Sequence, residues 1–226
     1  MDERGKVGMM SVEIDLREGD FANHVKKALA YLRSGYIIVA PLENSYVFLV
    51  DAFLHDGVRA MHVLRGDDLG VAAQVLVSST KVLDGVAREV TDDARKLMAA
   101  FWPGSLSFYL APHLGLNWDL GDDKELDEIC VRIPSARFVL AVLKKSGPLA
   151  VASAARAGQG PIYDVSFISA LDSDLAAIFN TGELTPGKAS TVVRADSNGI
   201  ELVREGEISF AELAAIVPEI AGGAIG

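Results

Sequence analysis

Pro41-Leu42-Glu43-Asn44-Ser45-Tyr46, followed closely by Asp51-Ala52, joins two apolar runs, Tyr36-Ile37-Ile38-Val39-Ala40 and Tyr46-Val47-Phe48-Leu49-Val50. Runs rich in β-branched and aromatic residues, bounded by Pro, Glu, Asn and Ser, read as two core strands with a turn between them. The turn carries a carboxylate, an amide and a hydroxyl. Such groups can face a cleft while rigid strands hold them still.

Working outward, Phe21, Val25, Ala28, Leu29 and Leu32 form one stripe at helical spacing. They predict a helix over 21–34, with Gly35 suited to its C-terminal cap. Downstream, a helix near 56–64 leads to a strand near 71–77. A helix over 92–101 is stopped by Trp102-Pro103-Gly104. Strands near 105–111 and 128–133 flank a charged surface loop at 121–125. A helix over 135–146 ends in Lys144-Lys145, the favourable sign for a helix C-terminus. A buried strand, 149–152, runs into Ser153. A helix near 165–172, strands at 176–180, 189–194 and 199–204, and a helix at 209–217 complete the pattern. Helices interleaved with short apolar strands predict one mixed-sheet α/β domain over 15–217. Residues 1–14 are expected to be a loose lead-in, and 218–226 a flexible tail.

Composition limits the function classes. Half of the 226 residues are hydrophobic, enough for one substantial core, and the net charge is -10. An acidic chain is poorly suited to clamping nucleic acid by bulk charge, although a local basic groove stays open. The single cysteine, Cys130, lies in an apolar run, so no internal disulfide is possible and a core thiol is expected. The charged start Met1-Asp2-Glu3-Arg4-Gly5-Lys6 lacks an apolar signal core. No stretch reaches the roughly 20 apolar residues of a membrane span, so the expectation is a cytoplasmic protein. The histidines His24, His55, His62 and His113 show no metal spacing, so no tightly bound metal is expected.

Several short constellations stand at strand and helix ends. Arg65-Gly66-Asp67-Asp68 can hold a phosphate through a guanidinium fork and free amides, or be a solvated turn with an ion pair. Ser153-Ala154-Ala155-Arg156-Ala157-Gly158 can bind an anion or simply connect a strand to the next element. Ser190-Thr191 reads as a turn or a ligand contact. Arg132, at the end of an apolar strand, faces a cleft or an ion-pair partner.

In order and spacing, these segments resemble the YrdC-type threonylcarbamoyl-adenylate synthase family over about residues 15–216. The family's Pro-Thr-Asp/Glu-Thr-Val-Tyr-Gly and Asp-Ala are matched by Pro41 to Val47 and Asp51-Ala52. Its Lys-x-Arg-Pro is matched by Arg65 and Asp67, counting back from Val75-Leu76-Val77. Its Trp-Pro-Gly-x-Leu-Thr stands here as Trp102-Pro103-Gly104-Ser105-Leu106-Ser107, and its Arg-x-Pro-x-His as Arg132-Ile133-Pro134-Ser135-Ala136. Its Ser-Ala-Asn-x-Ser-Gly falls on Ser153 to Gly158. Its late Gly, Ser-Thr and Arg-x-Gly fall on Gly182, Ser190-Thr191 and Arg204-Glu205-Gly206.

The resemblance implies a twisted mixed sheet, flanked by helices, around a concave cleft. It implies synthesis of threonylcarbamoyl-AMP from L-threonine, bicarbonate and ATP with Mg2+, releasing pyrophosphate, for a tRNA modification. RNA binding is also described in the family. Catalytic roles are implied for Arg65, Arg132 and Ser153, and nucleotide contacts for Arg65, Ser153, Ser190 and Arg204. Substrate contacts are implied for Glu43, Tyr46, Ser107, Arg132 and Thr191.

The departures fall on the site. Asp67 stands for an Arg, reversing a charge; Ala155 stands for an Asn; Leu42 and Asn44 stand for two threonines; Ala136 stands for the His; Val47 stands for a Gly. Two alternatives to the synthase therefore stay open. One is a diverged YciO-like paralogue that binds a nucleotide or another anion. The other is an RNA-binding or regulatory module. Restoring Asp67→Arg with Ala155→Asn is expected to raise nucleotide affinity.

Overall fold

The fold is built on alternation. In β2 (Ile37–Pro41) and β3 (Tyr46–Asp51) every residue but the last is buried, so both faces of this hairpin are covered. Ile37, Val39, Tyr46, Phe48 and Val50 enter one core layer; Ile38, Ala40, Val47 and Leu49 enter another. Continuous apolar runs rather than polar–apolar alternation are what a sheet covered on both sides requires.

The computed structural model describes residues 11–123, 125, 127–168 and 175–222. Its ten strands form one mixed sheet in the order β1-β8-β2-β3-β7-β4-β6-β5-β9-β10. Besides β2 and β3 these are β1 (Val12–Asp15), β4 (Gln74–Leu76), β5 (Leu106–Leu110), β6 (Ile129–Arg132) and β7 (Leu149–Ser153). The last three are β8 (Leu175–Asn180), β9 (Thr191–Asp196) and β10 (Gly199–Arg204). The helices are α1 (Phe21–Arg33), α2 (His55–Arg65), α3 (Thr80–Leu83), α4 (Asp92–Phe101), α5 (Arg137–Ser146) and α6 (Phe210–Ile216).

One face of the sheet packs on α1 and α5 through Val25, Leu29, Leu32, Phe138, Val139 and Val142. The other packs on α2, α4 and α6 through Val58, Met61, Leu97, Met98 and Leu213. The register sets the site. Val47 lies opposite Ser153, Val151 opposite Gln74, and Leu76 beside Arg132, so these residues share the α1/α5 face. Leu76 is buried with those helices, Val47 and Val151 lie where that core meets an open cleft, and Gln74, Arg132 and Ser153 line the cleft beside them.

The expected α/β domain with a mixed sheet flanked by helices is what forms, with local differences. Residues 12–14 of the expected lead-in, with Asp15, form β1 in parallel with β8. Only Ile14 of these four is buried, so a lone sequence carries little strand signal there. The expected strand over 71–77 shortens to 74–76, and α3 was not anticipated. The expected helix near 165–172 is a 3-10 turn over Val165–Phe167, and residues 169–174 lie outside the described ones. At the expected tail, Ala221 hydrogen-bonds to Ile200 and Leu202 of β10, and Ile220 is buried. No helix among the described residues is long and apolar enough to cross a membrane.

Candidate active site

The cleft has a volume of about 410 Å³, within the range of small-molecule sites. Its walls come from the β2–β3 turn, the C-terminal end of α2, β4, β6, β7, the segment 187–190, and Arg204 of β10.

At the α2 wall, Gly66 adopts a left-handed conformation and ends the helix, leaving Arg65 as its last residue and Asp67 just past the cap. Arg65 Nε donates to both Asp67 oxygens, at 3.1 and 2.9 Å. Its Nη1 donates to the carbonyls of Ser153 and Ala155, at 2.5 and 2.8 Å. Asp67 Oδ2 is also 2.8 Å from His62 Nδ1, and His62 Nε2 donates to the Leu120 carbonyl at 2.8 Å. The Arg65 and Asp67 side chains are only 16 and 7 % exposed. Gly121 closes over this ring with φ +108, where a Cβ would collide with His62. The guanidinium expected to hold a phosphate is therefore tied into the wall by a carboxylate and two carbonyls.

At the opposite end, Glu43 anchors a second network. Its Oε1 accepts from the Ser135 amide at 2.7 Å and the Ser135 hydroxyl at 3.2 Å, while Oε2 pairs with Arg132 Nη1 at 3.2 Å. Arg132 is buried, yet its Nε has no hydrogen-bond partner among the described residues. A buried N–H without an acceptor is unfavourable.

The third wall is the segment 187–190. Arg204 Nη2 donates to the Ser190 carbonyl at 2.9 Å, and Ser107 Oγ to Ser190 Oγ at 3.1 Å. Asn44 Nδ2 reaches across from the β2–β3 turn to the Lys188 carbonyl at 2.7 Å. A Cβ on Gly187 would collide with that amide, so glycine lets the two segments close up.

The structure thus gathers Glu43, Arg65, Arg132, Ser153, Ser190 and Arg204 around one cleft. It does not bring Tyr46, Thr191 or Ser107 into the lining. Tyr46 is fully buried; its hydroxyl lies 2.6 Å from the Gly182 carbonyl and 2.9 Å from Asn180 Oδ1, and accepts the Thr181 amide at 3.0 Å. Burial, above all, pushes its hydroxyl pKa up. Thr191 Oγ1 donates to the Ile208 carbonyl at 2.5 Å and accepts the amides of Gly206 and Ile208. Ser107 is buried behind Ser190. These three hold the site's frame, where contacts to substrate were expected. Arg156 and Arg59, which could have compensated for the missing cation, do not line the cleft. Cys130 is buried, and desolvation pushes its thiol up to about 12 against the pull of Arg204 and Arg132. Sequence reasoning missed Lys188, Gln74 and Gln159, which line the cleft from loops and a strand end carrying no motif, and Ser105, the variable position of the Trp102–Ser107 motif.

Among known proteins, the family model of the Sua5, YciO and YrdC proteins, described as "Telomere recombination", matches residues 30–206. A Mycobacterium leprae protein provisionally named a threonylcarbamoyl-AMP synthase is 31% identical over 197 residues, covering 87% of this chain and 89% of its own. The structure of Pyrococcus abyssi Sua5 complexed with L-threonine superposes with a TM-score of 0.84 at 21% identity, over 95% of this chain. This chain spans 63% of the length of that one. Escherichia coli YciO superposes with a TM-score of 0.77 at 21% identity, over 91% of this chain and 99% of its own. The two superpositions establish the fold.

Proposed function

The chain belongs to the Sua5, YciO and YrdC family, and on that premise we propose that it is a threonylcarbamoyl-AMP synthase. Its substrates are L-threonine, bicarbonate and ATP, and its setting is the cytoplasm. The observation that carries this reading is the half-satisfied Arg132, buried in a nucleotide-sized cleft with Ser153, Ser190 and Arg204 on the other walls.

The chemistry assigns roles by charge and reach. Arg132, held by Glu43, lines the cleft and offers its guanidinium to the carboxylate of the amino acid; a guanidinium suits a carboxylate by geometry as well as charge. Ser190 and Arg204 take the nucleotide, with Ser153 beside them. The threonine amine adds to the bicarbonate carbon and water leaves. One oxygen of the resulting carbamate then attacks the α-phosphorus of ATP. The bond from that phosphorus to its bridging oxygen breaks, and pyrophosphate leaves. The residues contribute by orienting the two anions in one cleft, an entropic and electrostatic effect.

Magnesium fits only as the counter-ion of the nucleotide phosphates. Glu43 and Asp67, the two carboxylates of the described residues that line the cleft, are engaged by arginines. Among the described residues no group of three or more His, Cys, Asp or Glu side chains could hold a metal. The decisive assay is pyrophosphate release with each substrate omitted in turn. Release that needs both threonine and bicarbonate is expected, and release indifferent to threonine would sink the reading.

One observation favours a second reading, a YciO-like protein that binds a nucleotide or another anion without this synthesis. Asp67 neutralises Arg65 where the family's phosphate clamp is expected. That reading predicts ATP binding with no threonine-dependent release of pyrophosphate.

A further inference from the structure

Among the described residues four cations line the cleft: Arg65, Arg132, Lys188 and Arg204. Three are already engaged by protein. Arg65 is held by Asp67 and two carbonyls, Arg132 by Glu43, and Arg204 by the Ser190 carbonyl. The Lys188 ammonium makes no hydrogen bond or ion pair with any described residue. Its charge is felt at Glu212, but that carboxylate is committed to capping α6.

The two walls differ in how they treat an anion. The α2 wall is the C-terminal, electronegative end of a helix, with Asp67 added to it. A phosphate placed there meets a guanidinium whose charge is already answered. On the wall formed by 187–190, Lys188 and Arg204 stand with the Ser190 and Ser105 hydroxyls. That wall is also pinned from both sides. Asn44 holds the Lys188 carbonyl, the Glu207 amide donates to the Ala189 carbonyl at 2.9 Å, and Thr191 is locked by three bonds to the 206–208 turn. A flexible lysine stem thus starts from a backbone tied by hydrogen bonds on both sides, which lowers the ordering cost of gripping a ligand.

We propose that Lys188 is the phosphate-binding cation of this cleft, and that the nucleotide's phosphates lie along 187–190 rather than at the C-terminal end of α2. The inference rests on the nucleotide reading above and adds where the phosphates sit and which residue holds them. A compact ammonium suits this task, since it engages phosphate as a point charge from any approach.

The test is calorimetric titration of the full chain with MgATP and, separately, with adenosine, comparing wild type with Lys188→Met and Lys188→Arg. Lys188 is exposed, so both variants are expected to fold. Loss of a charge-assisted bond should weaken MgATP about tenfold or more in Lys188→Met. Lys188→Arg should stay within about threefold of wild type, and adenosine affinity should not change in either. Wild-type affinity for MgATP in Lys188→Met would overturn the assignment while leaving the nucleotide reading intact. A wild-type chain that binds no MgATP would overturn both.

Discussion

A single charge reversal shows how a residue's meaning depends on its neighbours. From sequence, Asp67 in place of a family Arg looks like a lost phosphate contact that Asp67→Arg with Ala155→Asn would restore. In the fold, Asp67 is the buried counter-charge of Arg65 and a partner of His62, and Ala155 is buried with its carbonyl bonded to Arg65. An Arg at 67 would set two guanidinium groups side by side and strip His62 of its acceptor. The double variant should therefore lose stability, by about 3 kcal/mol or more for the broken buried pair, with a further cost for a buried amide. A urea-unfolding midpoint checks this; an unchanged midpoint would mean the Arg65–Asp67 pair contributes nothing.

At the scale of the element, ends matter more than middles. α6 has seven residues, too short to stand without its cap. Ser209 accepts the Glu212 amide at 3.3 Å. The Glu212 carboxylate in turn accepts from the Ser209 amide at 2.9 Å and hydroxyl at 2.7 Å. The hydroxyl bond first, then the amide bond, holds the Glu212 pKa below its ordinary value. The sign follows by linkage. The carboxylate's contribution is fully present above the unfolded value and is lost as pH falls through the lower folded value. The stability gap between wild type and Glu212→Gln should thus be open at neutral pH and closed in acid below the folded value. Urea midpoints across that range decide it, and a gap that persists in acid would show that the charge is irrelevant to the cap. The same logic governs the cleft, whose side chains come from the C-terminal end of α2, a hairpin turn and strand ends rather than from helix interiors.

The whole molecule is acidic, with a net charge of -10. Its cleft cations are mostly answered by Asp67, Glu43 and backbone carbonyls. Phosphate-backbone binding needs unanswered positive charge and falls steeply with salt. Gel-shift titration with a tRNA is therefore expected to show no complex at about 0.15 M salt. A salt-resistant complex would reveal a basic surface that the charge balance conceals. A diffusible small-molecule product makes such contact unnecessary for the proposed synthesis.

The sequence by itself determined the hairpin around Pro41–Tyr46, the order of most helices and strands, and the family to which their motifs point. Buried strands and amphipathic helices write their periodicity locally, in residues close along the chain. It also listed Glu43, Arg65, Arg132, Ser153, Ser190 and Arg204, the side chains that meet in the cleft. Apart from the local Arg65–Asp67 pair, their state was decided by the tertiary structure, through partners far away in sequence. Arg65 meets Ser153 and Ala155, Glu43 meets Arg132 and Ser135, Tyr46 turns inward to residues 180–182, and Asn44 ties down Lys188. Whether a charge faces a ligand or a neighbour depends on such long-range pairing, which no local pattern of residues records.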